Sequence, residues 1–224
     1  MRRTLLLLAL TVAGAACSAV TTASHGPRAP AATAPGASGT TATSGAVAPA
    51  SSTCRGTTAG TAGAAGGADV TVAGDIPDNA HYVTYRGAGY HLDYPEGWAQ
   101  QASGTTVTFT DKFNSIQVTT APAGAARTVA GAQASDVAAL QASAPCFQGG
   151  KVSQVSRSAG PAILITYRAD SPSDPVTGKV VLQDVERYEF WQSGTLATIT
   201  LSSPKGSDNV DPWRKVTDSF GWGA

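Results

Sequence analysis

Apolar and polar residues alternate with a period of two through most of the chain after residue 80. In "HYVTYR", Tyr82 and Thr84 oppose Val83 and Tyr85, and in "YHLDY", Tyr90, Leu92 and Tyr94 oppose His91 and Asp93. Side chains alternate between the faces of a strand, so each run predicts a strand with one buried face. Pro95 removes a ladder donor and Gly97 permits a reversal, so "YPEGW" predicts a strand end, a turn and then Trp98 as an aromatic plug in the core or at its rim. "TTVTFTD" and "NSIQVTT" set Val107, Phe109, Ile116 and Val118 against threonines and other polar residues. The few residues between them predict an antiparallel hairpin. "KVSQVSR", "AILITYRA" with Ile163, Ile165 and Tyr167 aligned, "KVVLQDVERYEFWQ", and "TLATITLSS" with Ala197, Ile199 and Leu201 aligned complete the strands.

Two segments break this period. From Thr128 to Gln141, Val129, Val137 and Leu140 lie near one helical face, with Thr128 as the N-cap. In "DPWRKVTDSFGW", Asp211 is read as the N-cap and Pro212 as the first helical residue. Trp213, Val216 and Phe220 then form a core-facing stripe. Strands, helix, strands and helix joined by tight turns predict an α+β domain in which an antiparallel sheet is layered with helices.

The N-terminal third carries no such pattern. All four Trp, six Tyr and five Phe lie at or after Tyr82, whereas 45 of the 51 residues from Ser18 to Ala68 are Ala, Gly, Ser, Thr or Pro. A segment without large side chains cannot offset about 1–2 kcal/mol of backbone entropy per ordered residue. The predicted organisation is a leader over 1–16, a disordered Ala/Thr/Gly/Ser/Pro-rich linker over 17–78 and a folded domain over 79–224. A coil of that length spans ~40–45 Å. Its Ser/Thr/Pro content is compatible with either a bare or an O-glycosylated spacer. The leader has a basic start, Arg2-Arg3, and the apolar run "LLLLALTVAGAA", too short to span a bilayer as a lasting helix. Its end, "AGAAC", resembles the cleavage signal of bacterial lipoproteins, with Gly14 where leucine is favoured. That resemblance implies a diacylglyceryl anchor on Cys17 and a protein held at the outer face of a membrane.

"LDYPEGW", "VTFTD", a central helix, "VERYEFWQSGTLATITLSSP" and a terminal helix ending in "SFGW" together resemble the PsbP-like family, in particular its actinobacterial lipoprotein branch, the LpqN group. The resemblance spans about residues 80–223 and implies an α/β/α sandwich. For function it implies a non-catalytic binding or assembly module facing an envelope protein or an apolar or lipid ligand; residue spacing, with no Cys-x-x-Cys and no Cys/His pattern suited to zinc, points to no cofactor and no metal. A cell-wall hydrolase or other envelope enzyme is the alternative. A sensor would have to act through a partner.

Charge and chemistry narrow this further. Without Arg2 and Arg3 the chain holds 13 basic and 15 acidic residues, and no basic block appears, which argues against nucleic acid. Export leaves Cys54 and Cys146, which either pair with each other in an oxidising compartment or remain as free or intermolecular thiols. Histidine occurs at His25, His81 and His91, none in a ligand or catalytic spacing. No nucleophile elbow, phosphate loop or dinucleotide motif is present. Asp184 and Glu186 share a strand face, and Asp170 and Asp174 flank a Pro-containing loop; both pairs read as solvated surface. Arg187, Glu189 and Trp191 share another face. Charge beside a large aromatic marks them as a candidate binding patch, although an amphipathic strand under a helix has the same composition.

Overall fold

Ten strands form among the described residues, eight of them from the alternating runs. The computed structural model describes Cys54 and residues 74–223. The proposed leader, Cys17, His25 and most of the proposed linker lie outside those residues. Strands β1 (Tyr82–Gly87), β2 (Tyr90–Pro95) and β10 (Gly221–Trp222) pair in the order β1-β2-β10. A second sheet contains β3 (Ala99–Ser103), β4 (Thr106–Asp111), β5 (Asn114–Pro122), β6 (Gln148–Arg157), β7 (Gly160–Asp170), β8 (Leu182–Gln192) and β9 (Thr195–Pro204), in the order β3-β4-β5-β9-β8-β7-β6. Every pairing is antiparallel. The fold is thus α+β, an antiparallel sheet layered with helices.

The register sets the two faces of the seven-stranded sheet. Tyr188 is opposite Ile199 and Leu164, and Val118 is opposite both Ile199 and Val107. These residues therefore share one face with Phe109, Ile116, Phe190, Ala197 and Leu201. The small sheet and helix α3 (Val210–Ser219) pack on that face, and the main core lies between them. One outer layer therefore holds the small sheet beside α3. Tyr94 stacks on Phe109 with centroids 4.0 Å apart, and Phe220 lies 4.8 Å from Phe190. Each such side chain contributes about 1.5–3 kcal/mol on burial. Trp98 is half-buried and sets its ring edge-on to Trp213 at 6.4 Å, so the "YPEGW" turn does end in an aromatic plug.

On the opposite face, α1 (Val129–Gly131), a π turn (Ala132–Asp136) and α2 (Val137–Ser143) form a smaller core with Ile163 and Ile165. Thr128 caps this segment as read, its Oγ1 accepting from Gly131 N at 3.0 Å. The predicted stripe shifts, however: Val129 is 38% exposed while Ala132 is fully buried. The Val137 amide donates to Ala132 O, an i to i−5 bond that brings residues 132 and 137 onto one face. Gly150 lies beside this helix at φ +96, and a Cβ there would stand 2.8 Å from Val137 Cγ1. Only glycine fits that approach.

Helix α3 begins at Val210 rather than after Asp211. Asn209 is its N-cap but makes no side-chain cap bond. Its Oδ1 instead accepts from Ile76 N at 2.7 Å and its Nδ2 donates to Gly74 O at 2.9 Å. Ile76 is buried, so packing begins before residue 79. A disulfide joins Cys54 to Cys146, with Cα atoms 5.4 Å apart, and so ties position 54 to the loop before β6.

Burial pushes the phenols of Tyr90 and Tyr188 up, Tyr188 to about 12, where a hydrogen bond to Glu186 adds to the burial and Arg157 opposes it. A raised folded-state value means that the neutral phenol is favoured in the fold. That stabilisation is complete below the ordinary value of 10.0 and is lost as pH rises through about 12. In an alkaline titration, phenolate absorbance from these two tyrosines should therefore appear late and together with loss of the far-ultraviolet circular dichroism signal. Early ionisation of Tyr188, assigned by comparison with Tyr188→Phe, would contradict its buried, bonded placement.

Candidate functional site

Two concave regions of the domain lie along β8. The larger is a cleft of about 450 Å³ on the core-facing side of β6–β8, beside the start of α3. Lys151, Arg168, Asp184, Glu186, Asn209 and Trp213 are among its lining residues. Its charges are largely matched within the fold. Arg168 Nε donates to Asp184 Oδ1 at 2.6 Å, and Tyr188 OH donates to Glu186 Oε2 at 2.7 Å. Arg157 donates to the Tyr188 oxygen at 2.9 Å and to Thr217 Oγ1 at 3.0 Å, which links β6, β8 and α3. The shared face of Asp184 and Glu186 was legible in the sequence. Their partners show that the pair is a structural tie across the cleft floor.

The second region is the end of β8 on the opposite face. Alternation puts Arg187, Glu189 and Trp191 together there, as read, but they are not equally available. The Glu189 side chain is fully buried and the Arg187 side chain is 27% exposed. Arg187 Nε donates to Glu189 Oε1 at 2.9 Å. Glu189 is thus an internal counter-ion rather than part of an open patch. Trp191 remains 36% exposed, its indole donating to Ala123 O at 2.9 Å. That bond holds the 123–127 segment, which leads from β5 to α1, against β8.

This placement brings in two residues that the strand pattern could not show. Arg127 stands with Nε 3.9 Å from Glu189 Oε2 and 3.5 Å from Asp136 Oδ2. Asp136 belongs to the π turn, so the bulge that moves Ala132 and Val137 inward also turns a carboxylate toward the sheet. Glu189 Oε2 and Asp136 Oδ2 are both buried and accept no hydrogen bond. Each buried unsatisfied acceptor costs about 1–3 kcal/mol. A pocket of about 190 Å³ opens here, lined by Gln154, Pro161 and Ile163 as well as Arg127, Glu189 and Trp191.

Beyond Trp191 the same sheet face continues across β9, β5 and β4. The register aligns Thr198 and Thr200 with Thr119 and Gln117, and those with Thr106 and Thr108. These residues are part-exposed or exposed, and the small core under α1 and α2 does not extend to them. The outcome is a broad, uncharged polar surface with Trp191 and Arg127 at its border.

The remaining candidates are scattered. His81 is exposed, and His91 Nδ1 donates to Gly223 O at 3.2 Å. Asp170 is buried at the end of β7. Asp174 closes a turn, where the Thr177 amide and hydroxyl hold its carboxyl below the usual carboxylate range. Among the described residues no group of three or more His, Cys, Asp or Glu is placed to hold a metal ion. No described helix is long and apolar enough to cross a membrane.

No family model matches this chain, and no curated protein matches it. Solved structures do. Cyanobacterial PsbP (CyanoP) from Synechocystis sp. PCC 6803 is 17% identical, with 72% of this chain and 98% of that chain covered and a TM-score of 0.45. LpqN of Mycobacterium tuberculosis, a protein involved in cell envelope biogenesis, is 13% identical over 66% of this chain and 93% of that one, with a TM-score of 0.40. A protein from Bacteroides thetaiotaomicron VPI-5482 is 11% identical over 65% of this chain, with a TM-score of 0.40; this chain spans about half of it, 49%. The PsbP and LpqN groups named by the sequence resemblance are thus both among the structures to which this chain is similar.

Proposed function

We infer that this protein is an extracytoplasmic binding or assembly module, held at the outer face of a membrane through a lipid on Cys17, and that it contacts its partner through the end of β8. The observation that carries the reading is the placement of exposed Trp191 and of Arg127 around one pocket with a buried carboxylate, at the border of a sheet surface that no described helix covers. An indole fixed by its own hydrogen bond offers a large apolar area with little entropy left to lose, as interface anchors do. The Cys54–Cys146 disulfide supports an oxidising compartment. The leader and the cysteine at its end support the anchor, and the absence of a nucleophile motif in the sequence supports binding over turnover.

Two measurements test this. Cys17→Ser should move the protein from the membrane fraction to the soluble one or block its processing; wild type found entirely in the aqueous phase of a detergent extraction would contradict the anchor. Trp191→Ala should lower recovery of a defined envelope partner from native membranes while the melting temperature falls by only a few degrees. Hydrolysis of peptidoglycan or of a simple ester by purified protein, abolished by one point substitution, would replace the binding reading with an enzymatic one.

A further inference from the structure

The pocket under Trp191 is charged in a way that the fold alone does not use. Two buried carboxylate oxygens, Glu189 Oε2 and Asp136 Oδ2, point at one cation and accept a hydrogen bond from no group. That cation, Arg127, is 42% exposed, and its Nε stands 3.5 and 3.9 Å from the two oxygens, too far for good hydrogen bonds. Arg187 is different: it is bonded to the other Glu189 oxygen at 2.9 Å and belongs to the strand itself. Glu189 therefore meets one fixed positive charge and one loosely held one.

We propose that Arg127 is a replaceable counter-ion and that this pocket receives the ammonium group of a lysine-type side chain from a partner peptide. This deepens the binding reading of the Trp191 face and rests on it. The charge count selects the ligand. With Arg127 swung out, Glu189 and Asp136 carry two negative charges against the one positive charge of Arg187, leaving a single charge for a monovalent cation to balance. An ammonium brings three donors on one compact atom, enough for both vacant carboxylate oxygens, at lengths that Arg127 Nε does not reach. The walls suit its stem. Pro161, Ile163 and the Trp191 ring line the same 190 Å³ pocket, so an unbranched alkyl chain lies on apolar surface while its charged end reaches the carboxylates. Trp191 then acts as the wall that the incoming side chain slides along, and Arg127 moves out to solvent.

The test uses the full mature chain labelled with nitrogen-15, followed at the Trp191 indole resonance. Nα-acetyl-lysine methylamide should shift that resonance saturably, and the norleucine analogue, which lacks the ammonium, should not. Arg127→Ala should tighten lysine binding by about tenfold, because the built-in competitor is gone. Glu189→Gln should abolish the shift. If Glu189→Gln fails to fold, Asp136→Asn, which keeps the Arg187–Glu189 bond, should weaken binding by about tenfold. Equal shifts from lysine and norleucine, or Arg127→Ala binding no more tightly than wild type, would overturn the proposal. Tighter binding of glucosamine or phosphoethanolamine than of the lysine probe would overturn it as well, by assigning the pocket to an amino sugar or a lipid headgroup. Loss of partner recovery in Trp191→Ala together with no lysine binding would leave the contact face standing and remove this occupant.

Discussion

Trp213→Ala should destabilise the domain by about 3–5 kcal/mol, whereas Trp191→Ala should cost only about 0.5–1.5 kcal/mol. Trp213 is 4% exposed and sits in the main core with Val216 and Phe220, its ring edge-on to Trp98. Truncation leaves a cavity between α3 and the sheet that neighbouring strands, bonded on both sides, cannot close. Trp191 is at the surface, where truncation forfeits chiefly one hydrogen bond to Ala123 and some contact with the loop. Urea denaturation of the two variants beside wild type measures the contrast. Equal losses would make Trp191 a core residue and remove it from the proposed contact face.

Breaking the Cys54–Cys146 disulfide should cost about 2–5 kcal/mol. The two cysteines are 92 residues apart in sequence, so the bond restricts a long stretch of the unfolded chain. Cys146 lies in the turn between α2 and β6 and holds a left-handed φ of +55, so its loop is held in a conformation that L-residues seldom adopt. Intact-mass measurement after alkylation, with and without reductant, establishes the bond, and denaturation of Cys54→Ser gives its contribution. Two alkylated thiols in the unreduced protein would show that the pair is not closed in solution. A double variant lacking both cysteines separates loss of the bond from the effect of a lone thiol.

The strands that alternate are the ones the sequence reveals. Val107 and Phe109, Ile116 and Val118, and Ala197, Ile199 and Leu201 are buried on the face their period assigns. The stripe of Trp213, Val216 and Phe220 is buried as well, although Phe220 has left the helix for extended backbone. What is missed lacks a local signal. All residues of β3 are exposed, so no apolar period marks it, and β10 has only two residues. The π turn changes the helical phase through one backbone bond, and no residue type announces it. Asn209 looks like a cap but spends its side chain on Gly74 and Ile76, which also brings the start of the packed region forward.

The site was half legible for the same reason. Opposite charges at Arg187 and Glu189, two apart on one strand, are visible as neighbours on one face. Their depth is not, because burial of Glu189 depends on the 123–127 segment folding back from β5. Arg127 reaches Glu189 across 62 positions of sequence and Asp136 joins it only through Arg127, with no motif connecting the three. The sign available beforehand was a lone acid on a strand face otherwise made of aromatic, aliphatic and paired residues. In a folded domain such an acid is buried only where cations meet it.

The central claim, that the end of β8 is the contact face of an envelope-facing binding module, is tested most directly by site-specific photocrosslinking in intact cells. A photoreactive amino acid at position 191 should give a discrete crosslinked species in the membrane fraction. The same residue at position 84, on the exposed side of β1, should not. Weakening of the species in the Asp136→Asn background, with the protein still folded and membrane-bound, would tie it to this pocket. No crosslink from position 191, or the same species from positions 191 and 84, would contradict the account.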